Sequence, residues 1–277
     1  MNWDELPRPD VPYAEVIGDP IAQSKSPVIH HYWLEKMGLA GLYRAARVPA
    51  HQLGAYFADR SADENWRGCN VTIPHKETAW KVAKTRAQFV LESGASNLIC
   101  RKPEGLHAGN TDRAGFLAPI ADIELEDADV ALIGAGGAAR AVVRALAAKG
   151  VRRITVHNRS PEKAEAMLET LSVGTEVRAL TDPLPAADLL VNASSLGMRG
   201  QAPLGVDLAP LPGSAVVYDL VYDPLETELL KSAAARGLRT VDGLSMLIRQ
   251  AAPSFDAFFH RIPHKMHDAA IRELLTS

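Results

Sequence analysis

The sequence predicts a two-domain α/β protein. Its 277 residues are enough for about two domains of ordinary size. Short apolar runs alternate with helix-like segments in the first part, and from Asp129 onward the alternation becomes regular. Regular alternation of this kind is typical of a parallel sheet covered by helices. After residue 243 the pattern predicts helices only, and we expect this terminal pair to pack on the first domain.

The first domain is predicted from residues 1–115 and 244–277. Its apolar runs have the length and composition of strands, and the segments between them have helical spacing. Strands are expected at 13–17, 43–48, 69–73 and 97–101, with helices at 28–37, 52–58, 245–259 and 264–274.

The second domain is predicted from residues 116–243. Strands are expected at 130–133, 154–156, 189–191 and 216–220, with helices at 137–149 and 161–171. Ser160 and Pro161 are suited to the N-cap and first position of the second of these helices. Gly150 can take the left-handed conformation that ends the first of these helices, predicted at 137–149.

Composition excludes several classes of partner. Lys and Arg number 30 against 33 Asp and Glu, for a formal net charge of −3, and no basic run is present. Nucleic acid and anionic membranes are therefore not expected as partners. The expected partner is a small molecule. Residues 1–10 are acidic and proline-rich, which matches neither a signal nor a transit peptide.

The longest apolar runs are strand-sized, whereas a membrane-spanning helix needs about 20 apolar residues. We therefore expect a cytoplasmic protein, and the sequence leaves monomer and homodimer open. Cys69 and Cys100 are the two cysteines. They form neither a disulfide framework nor a metal-ligand cluster, so both are expected to be buried apolar residues and no metal is expected.

A glycine-rich loop follows the predicted strand at 130–133. Gly134, Gly136 and Ala139 have the G-x-G-x-x-A spacing of a Rossmann-like dinucleotide site. The first glycine permits a tight turn, and the second allows the backbone to approach a pyrophosphate. The helix start then offers N–H groups to the anion. The loop predicts cofactor contacts at Gly134, Ala135, Gly136, Gly137 and Ala138.

The end of the next strand predicts which dinucleotide binds. An NAD site usually has Asp or Glu there for the ribose 2′-hydroxyl, but this chain has Asn158, Arg159 and Ser160. An arginine and a hydroxyl suit a 2′-phosphate, and no carboxylate is present to repel it. The sequence therefore predicts NADP.

A lysine and a carboxylate are the candidate acid/base groups. Lys76 follows a strand and a proline turn, and Asp112 ends the sequence Asn110-Thr111-Asp112. A lysine in a cleft has its pKa lowered by desolvation, while a nearby carboxylate favours its charged form. The sequence leaves open which of the two holds the proton.

Several short motifs, in this order, resemble the shikimate dehydrogenase family over almost the whole chain. They are Ile17–Ile21, Ser24–Pro27, Asn70–Lys76, Asn97, Asn110–Asp112, the glycine-rich loop, Asn158–Ser160, Asn192–Ser195, Tyr222–Pro224 and Asp242–Gln250. Each motif is weak alone, but the ordered set is specific.

The resemblance implies NADP-dependent interconversion of shikimate and 3-dehydroshikimate in aromatic amino acid biosynthesis, with Lys76 and Asp112 as the acid/base pair. It further implies roles for residues that are unremarkable by themselves. Those implied to bind the substrate carboxylate are Ser24, Ser26 and Tyr222, and those implied to bind its hydroxyls are Asn70, Thr72, Asn97, Asp112 and Gln250. Further cofactor contacts are implied at Ala193, Ser194, Leu220 and Gly243.

Five positions depart from the family pattern, namely Ser96, Leu98, Ala108, Ser245 and Arg249. None of them removes a proposed catalytic group, but they could alter the pocket around the substrate hydroxyls. A relative acting on quinate or another cyclohexane carboxylate is therefore an alternative, although Ser26 favours shikimate. A catalytically weak NADP-binding sensor is a third hypothesis, which intact Lys76 and Asp112 disfavour.

Overall fold

The computed structural model describes residues 1–169 and 171–276. Thr170, which falls in the helix predicted over 161–171, and Ser277, the last residue of the predicted first domain, lie outside the described residues. Internal contacts divide the chain into two units. Unit 1 comprises Met1–Asp112 and Ile248–Ser277, and unit 2 comprises Arg113–Leu247.

Unit 1 is built on a mixed sheet flanked by helices. Its strands are β1 Tyr13–Gly18, β2 Leu42–Arg47, β3 Trp66–Val71, β4 Thr85–Arg86, β5 Leu98–Lys102 and β6 Gly105–Gly109. Its α-helices are α1 Ser26–Lys36, α2 Leu53–Ser61 and α3 Gln88–Ser93, and its 3₁₀ turns are Trp3–Glu5, Ala50–Gln52, Ala79–Val82 and Lys265–His267.

The strand order of unit 1 is β2-β1-β3-β5-β6-β4. The first three strands are parallel, and β5 runs antiparallel to both β3 and β6. Strand β1 is central and wholly buried, so its alternate side chains enter two cores. Tyr13 and Ile17 pack with Tyr56 and other apolar residues on one face, whereas Ala14 and Val16 pack on the other.

Unit 2 is built on a wholly parallel sheet. Its strands are β7 Asp129–Ile133, β8 Arg153–Asn158, β9 Gly174–Ala179, β10 Leu189–Asn192, β11 Val216–Asp219 and β12 Arg239–Val241. Its helices are α4 Asp112–Leu117, a 3₁₀ turn Ala118–Ile120, α5 Gly137–Ala147, α6 Pro161–Leu168 and α7 Glu228–Ala235. Helix α8 Gly243–Phe259 contains the boundary between the units, and α9 Asp268–Thr276 belongs to unit 1.

The strand order of unit 2 is β12-β11-β10-β7-β8-β9. Chain order therefore reverses between β7 and β10, and the carboxyl ends of these two strands are where doubly wound sheets bind dinucleotides. Val130 and Leu132 enter one core, and Ala131 and Ile133 enter the other. This parallel sheet confirms the predicted Rossmann-like fold.

The sequence pattern missed several elements. Strands β4, β6, β9 and β12 and helices α3, α4 and α7 were not predicted. Ser160 is the N-cap of α6 as expected, but its side chain makes no capping hydrogen bond within the described residues. Gly150 does adopt a left-handed φ of 76°, although α5 ends earlier, at Ala147.

Both cysteines are buried and free, as predicted. Burial raises the pKa of each thiol. Within residues 1–169 and 171–276, no helix has the length and apolar character needed to cross a bilayer. The same residues contain no group of three or more His, Cys, Asp or Glu placed to hold a metal ion.

Candidate active site

Lys76 and Asp112 form a short ion pair in unit 1. The distance from Lys76 Nζ to Asp112 Oδ2 is 2.6 Å. The side chain of Asp112 is 4% exposed and that of Lys76 is 15% exposed. The pair is thus shielded from bulk water but still reachable, as a proton-transferring pair must be.

The backbone around Lys76 is held from two sides. The buried ring of His75 contacts the carbonyl of Val48 through Nε2 at 2.6 Å. The carbonyl of Lys76 itself accepts a hydrogen bond from the Ser96 amide at 2.8 Å. These two bonds fix the loop after β3, so the Lys76 side chain starts from a rigid position.

Asp112 is oriented by two asparagines. The Asn110 side-chain oxygen accepts from the Asp112 amide at 2.9 Å, and its Nδ2 donates to the Ala95 carbonyl. Asn97 Nδ2 donates to Asp112 Oδ1 at 2.9 Å. One carboxylate oxygen therefore contacts Lys76 and the other contacts Asn97.

Gln250 reaches the same cluster from α8. Its Oε1 lies 3.2 Å from Asn97 Nδ2 and 3.3 Å from the hydroxyl of Thr111. The Thr111 hydroxyl lies 3.2 Å from that of Ser254. The sequence pattern indicated neither Thr111 nor Ser254 as a site residue, although Ser254 is four residues after Gln250 and so shares its helix face.

Asn70 is buried, and its side-chain amide has three hydrogen-bond partners. Its Nδ2 donates to the Asn97 carbonyl at 3.1 Å and to the Ser254 hydroxyl at 2.8 Å. Its Oδ1 accepts from the Tyr43 hydroxyl at 2.8 Å. Tyr43 was also missed, because a tyrosine in an apolar strand is an ordinary core residue.

Ser24, Ser26 and Thr72 lie apart from this hydrogen-bonded cluster. Ser26 is buried at the start of α1, and its amide contacts Ser24 Oγ at 3.4 Å. The Thr72 amide donates to the Ile17 carbonyl at 2.9 Å, which places Thr72 just beyond the carboxyl ends of β1 and β3. Ser24 and Ser26 lie just before and at the start of the helix that follows β1, whereas Thr72 directly follows β3.

Three departures from the family pattern have structural roles. The buried Ser96 hydroxyl lies within hydrogen-bonding distance of the carbonyls of Leu98 and Gly109, at 2.8 and 2.6 Å. Leu98 and Ala108 are buried in the two cores of unit 1. These residues join β5 to β6 and add no unpaired polar group to the cluster.

The other two departures lie on α8. Ser245 bonds Asp242 Oδ1 through both its amide, at 3.0 Å, and its hydroxyl, at 3.2 Å, so Asp242 caps the helix start. Arg249 pairs with Asp268 of α9 at 3.1 Å. The additional cation is therefore already neutralised by a neighbouring helix.

The glycine-rich loop of unit 2 lies at the point where strand order reverses. Gly134 has φ 106°, and a Cβ there would meet the backbone of Ala193 at 3.0 Å. A Cβ on Gly136 would meet no atom within 4 Å. The first glycine thus lets two chain segments approach closely, and the second faces open space that a ligand can enter.

The remaining loop residues suit a pyrophosphate. Gly136 is the N-cap of α5 and has no side chain to satisfy the first N–H groups of that helix. These donors belong to Gly137 and Ala138, which are half-buried. Ala135 and Ala139 are buried against the sheet. The residues present therefore fit a dinucleotide anion at this helix start.

A polar network supports the other predicted cofactor residues. Ser194 bonds Asn192 Oδ1 through its hydroxyl at 2.7 Å, and Asn192 Nδ2 donates to the buried Asp219 at 2.9 Å. The Leu220 amide donates to the Asn192 carbonyl at 2.9 Å. Burial raises the pKa of Asp219. The network joins the carboxyl ends of β10 and β11, next to Ala193.

Gly243 is the most constrained glycine of the predicted set. A Cβ there would overlap the Leu220 carbonyl oxygen and would lie 2.6 Å from that of Val221. We expect Gly243→Ala to lower the free energy of unfolding by about 1–3 kcal/mol, because backbone must move to admit the methyl group. Urea unfolding followed by circular dichroism measures this.

Gly136→Ala is the matched control for this substitution. Its methyl group would enter open space, so the unfolding midpoint should stay at the wild-type value while the KM for NADP rises. Equal unfolding midpoints for the two variants would contradict the expected clash at Gly243.

The residues expected to determine which dinucleotide binds lie at the end of β8. Asn158 Nδ2 donates to the Ser160 carbonyl at 2.8 Å, which shapes the turn. Arg159 is exposed, and its side chain has no hydrogen-bond or ion-pair partner in the described part of the chain.

Tyr222, in unit 2, is half-buried, and burial raises the pKa of its phenol. That hydroxyl stays protonated at neutral pH and can donate to an anion.

The parallel sheet with its nucleotide loop, together with the lysine and carboxylate, defines a dinucleotide-dependent oxidoreductase. Two family models match the chain. One describes a shikimate dehydrogenase substrate binding domain and matches residues 16–99. The other describes shikimate / quinate 5-dehydrogenase and matches residues 117–197. The chain belongs to the shikimate dehydrogenase family.

Individual relatives are similar to this chain over nearly its whole length. The chain is 54% identical over 267 residues to a shikimate dehydrogenase (NADP(+)) of Sphingopyxis alaskensis, covering 96% of this chain and 97% of the relative. It is similar to the structure of shikimate 5-dehydrogenase from Thermus thermophilus in complex with NADP(H) and shikimate. That structure has a TM-score of 0.83 and 33% identity, and the match covers 95% of this chain and 99% of the other.

A relative with another substrate shares the fold. The ligand-free 5-ketofructose reductase of Gluconobacter sp. matches with a TM-score of 0.85 and 28% identity, over 96% of this chain and 99% of that one. Fold similarity by itself therefore does not identify the substrate.

Proposed function

We propose that this chain catalyses the reversible NADP-dependent reduction of 3-dehydroshikimate to shikimate. The main support is the Lys76–Asp112 pair, whose 2.6 Å contact lies within one hydrogen-bonded cluster with Asn97 and Gln250. Such a cluster offers both a proton-transferring group and amides for the substrate hydroxyls. The similarity of this chain to the shikimate dehydrogenase (NADP(+)) of Sphingopyxis alaskensis supports the same conclusion.

The reaction moves a hydride and a proton. When bound, the nicotinamide supplies the hydride that reduces the ring carbonyl carbon. Lys76 and Asp112 hold the proton that the carbonyl oxygen gains, and they take it back from the hydroxyl in the reverse direction.

The substrate has one carboxylate and three hydroxyls, and we assign each a set of residues. Ser24, Ser26 and Tyr222 bind the carboxylate with hydroxyl donors. Thr72, Asn97 and Gln250 contact the ring hydroxyls. A site of this kind rejects an analogue that lacks a hydroxyl, because buried partners would be left unpaired.

The cofactor is held by unit 2 in this proposal. The loop Gly134–Ala138 and the start of α5 bind the pyrophosphate, and Arg159 binds the 2′-phosphate with Asn158 and Ser160 beside it. Ala193, Ser194, Leu220 and Gly243 line the carboxyl ends of the neighbouring strands and contact the rest of the dinucleotide.

Initial rates with purified protein test the function. NADP reduction is measured with shikimate and with quinate, and NAD is compared in parallel. A fast rate with shikimate and NADP is the expected result. A rate with quinate alone would overturn it. The family departures argue for shikimate, because Ser96, Ser245 and Arg249 are all engaged in structural contacts.

Arg159→Ala tests the cofactor assignment. A charge-assisted hydrogen bond contributes about 1.5–3 kcal/mol, so the KM for NADP should rise roughly ten- to a hundredfold while the KM for NAD stays constant. Steady-state kinetics with both dinucleotides measure this. Arg153→Ala is the matched control, because this exposed arginine begins the same strand at its opposite end. Equal losses for both cofactors would refute a 2′-phosphate contact.

A further inference from the structure

We propose that Tyr43 and Ser254 are positioning residues, which act on the substrate site by holding Asn70 in one orientation against the backbone of Asn97. The inference rests on the proposed function. It assigns Asn70 to the support of the site, because both of its N–H donors are already bonded to acceptors of the protein.

Three hydrogen bonds hold the side-chain amide of Asn70. An asparagine amide has two N–H donors. In this structure Nδ2 has two acceptors, the Asn97 carbonyl at 3.1 Å and the Ser254 hydroxyl at 2.8 Å. The Tyr43 hydroxyl donates to Oδ1 at 2.8 Å. Asn70 is 6% exposed and has no N–H left for a substrate hydroxyl.

The orientation of the amide follows from the chemistry of its partners. A backbone carbonyl can only accept a hydrogen bond, so the atom facing the Asn97 carbonyl is Nδ2. Oδ1 therefore faces Tyr43, which must donate. Burial raises the pKa of the Tyr43 phenol, which keeps that donor protonated.

Packing fixes the Tyr43 ring. The His30 ring stacks on it with centroids 3.7 Å apart and an interplanar angle of 7°. Both rings are fully buried, and Phe258 packs against each of them. The hydroxyl consequently has one direction in which to point, toward Asn70.

The consequence reaches the acid/base pair through Asn97. Asn70 holds the Asn97 backbone, and the Asn97 side chain in turn contacts Asp112 Oδ1 at 2.9 Å. Ser254 completes a second path, because its hydroxyl also lies 3.2 Å from that of Thr111. Loss of either hydroxyl should misplace Asn97 relative to Lys76–Asp112, with no effect on the dinucleotide.

Tyr43→Phe and Ser254→Ala test this inference by kinetics. Each should lower kcat/KM for shikimate by about tenfold, the effect expected from an unpaired buried partner, and leave the KM for NADP unchanged. The controls are Tyr13→Phe and Ser93→Ala. Tyr13 is a buried tyrosine of the neighbouring strand that donates to Asp63, and Ser93 is a buried serine bonded to a helix carbonyl. Both controls should retain the wild-type kcat/KM.

A double-mutant cycle separates positioning from general destabilisation. If Tyr43 acts through Asn70, then Tyr43→Phe should have no further effect on kcat/KM in an Asn70→Ala background. Additive losses, or a loss of equal size in Tyr13→Phe, would overturn the proposal.

Hydrogen exchange of the Asn70 side-chain amide, followed by nuclear magnetic resonance, provides a readout that needs no turnover. The two amide protons should be protected in the wild type and exchange at least about tenfold faster in Ser254→Ala, where one of them loses its acceptor. Unprotected protons in the wild type would overturn the inference. If the wild type showed protection but did not oxidise shikimate, the proposed function alone would fail.

Discussion

Lys76→Ala is expected to turn over shikimate about 10²–10⁴-fold more slowly than the wild type, the usual effect of removing a positioned acid/base group. The amine is in direct contact with Asp112 at 2.6 Å, so no other residue can take its place at the same position. The initial rate of NADP reduction measures turnover, and fluorescence titration measures NADP affinity. The affinity should stay at the wild-type value because the residues proposed to bind the cofactor all belong to unit 2.

Lys81→Ala is the matched control for this substitution. Lys81 is exposed and lies in the 3₁₀ turn Ala79–Val82, so its removal takes one positive charge from the same part of the chain. Its turnover should equal that of the wild type. Loss of NADP binding in Lys76→Ala would indicate a structural role for the lysine, and full turnover would remove it from the mechanism.

Glu15→Gln is expected to lower the free energy of unfolding of unit 1 by about 3–5 kcal/mol, because the buried Arg60 loses its buried carboxylate and keeps only the partly exposed Asp59. Glu15 is fully buried and accepts hydrogen bonds from Arg44, Tyr56 and Arg60. Burial lowers the pKa of Arg60, but the Glu15 carboxylate outweighs burial and raises it above its usual value. Arginine is not deprotonated in proteins, so Arg60 stays charged even after this carboxylate is lost.

Urea unfolding followed by tryptophan fluorescence measures this loss. The chain has 4 tryptophans, and all of them, Trp3, Trp33, Trp66 and Trp80, are in unit 1, so their emission reports on that unit. Asp122→Asn is the control, because it breaks an exposed pair with Arg239 in unit 2 and should leave the fluorescence midpoint unchanged. Equal midpoints for Glu15→Gln and the wild type would show that the buried cluster around Glu15 contributes little to the free energy of unfolding of unit 1.

Two of the strands that the sequence pattern missed share a physical cause. Strands β9 and β12 lie at the two edges of the parallel sheet, where β9 has no buried residue and β12 has one. Edge strands do not need the continuous apolar run by which a buried strand is recognised. In β6 the two glycines at the ends weaken the strand pattern in the same way.

The sequence by itself determined the fold class and the family, and it named the Lys76–Asp112 pair. Buried strands must be apolar, nucleotide loops need glycine, and proton transfer needs titratable groups, so each leaves a local mark on the chain. The contact between Lys76 and Asp112 and the bonds linking them to Asn97 and Gln250 depend on segments far apart in sequence. Only the tertiary structure decided these contacts. It also revealed Tyr43, Thr111 and Ser254, because their hydroxyls become significant only once folding brings Asn70 and Asn97 to them.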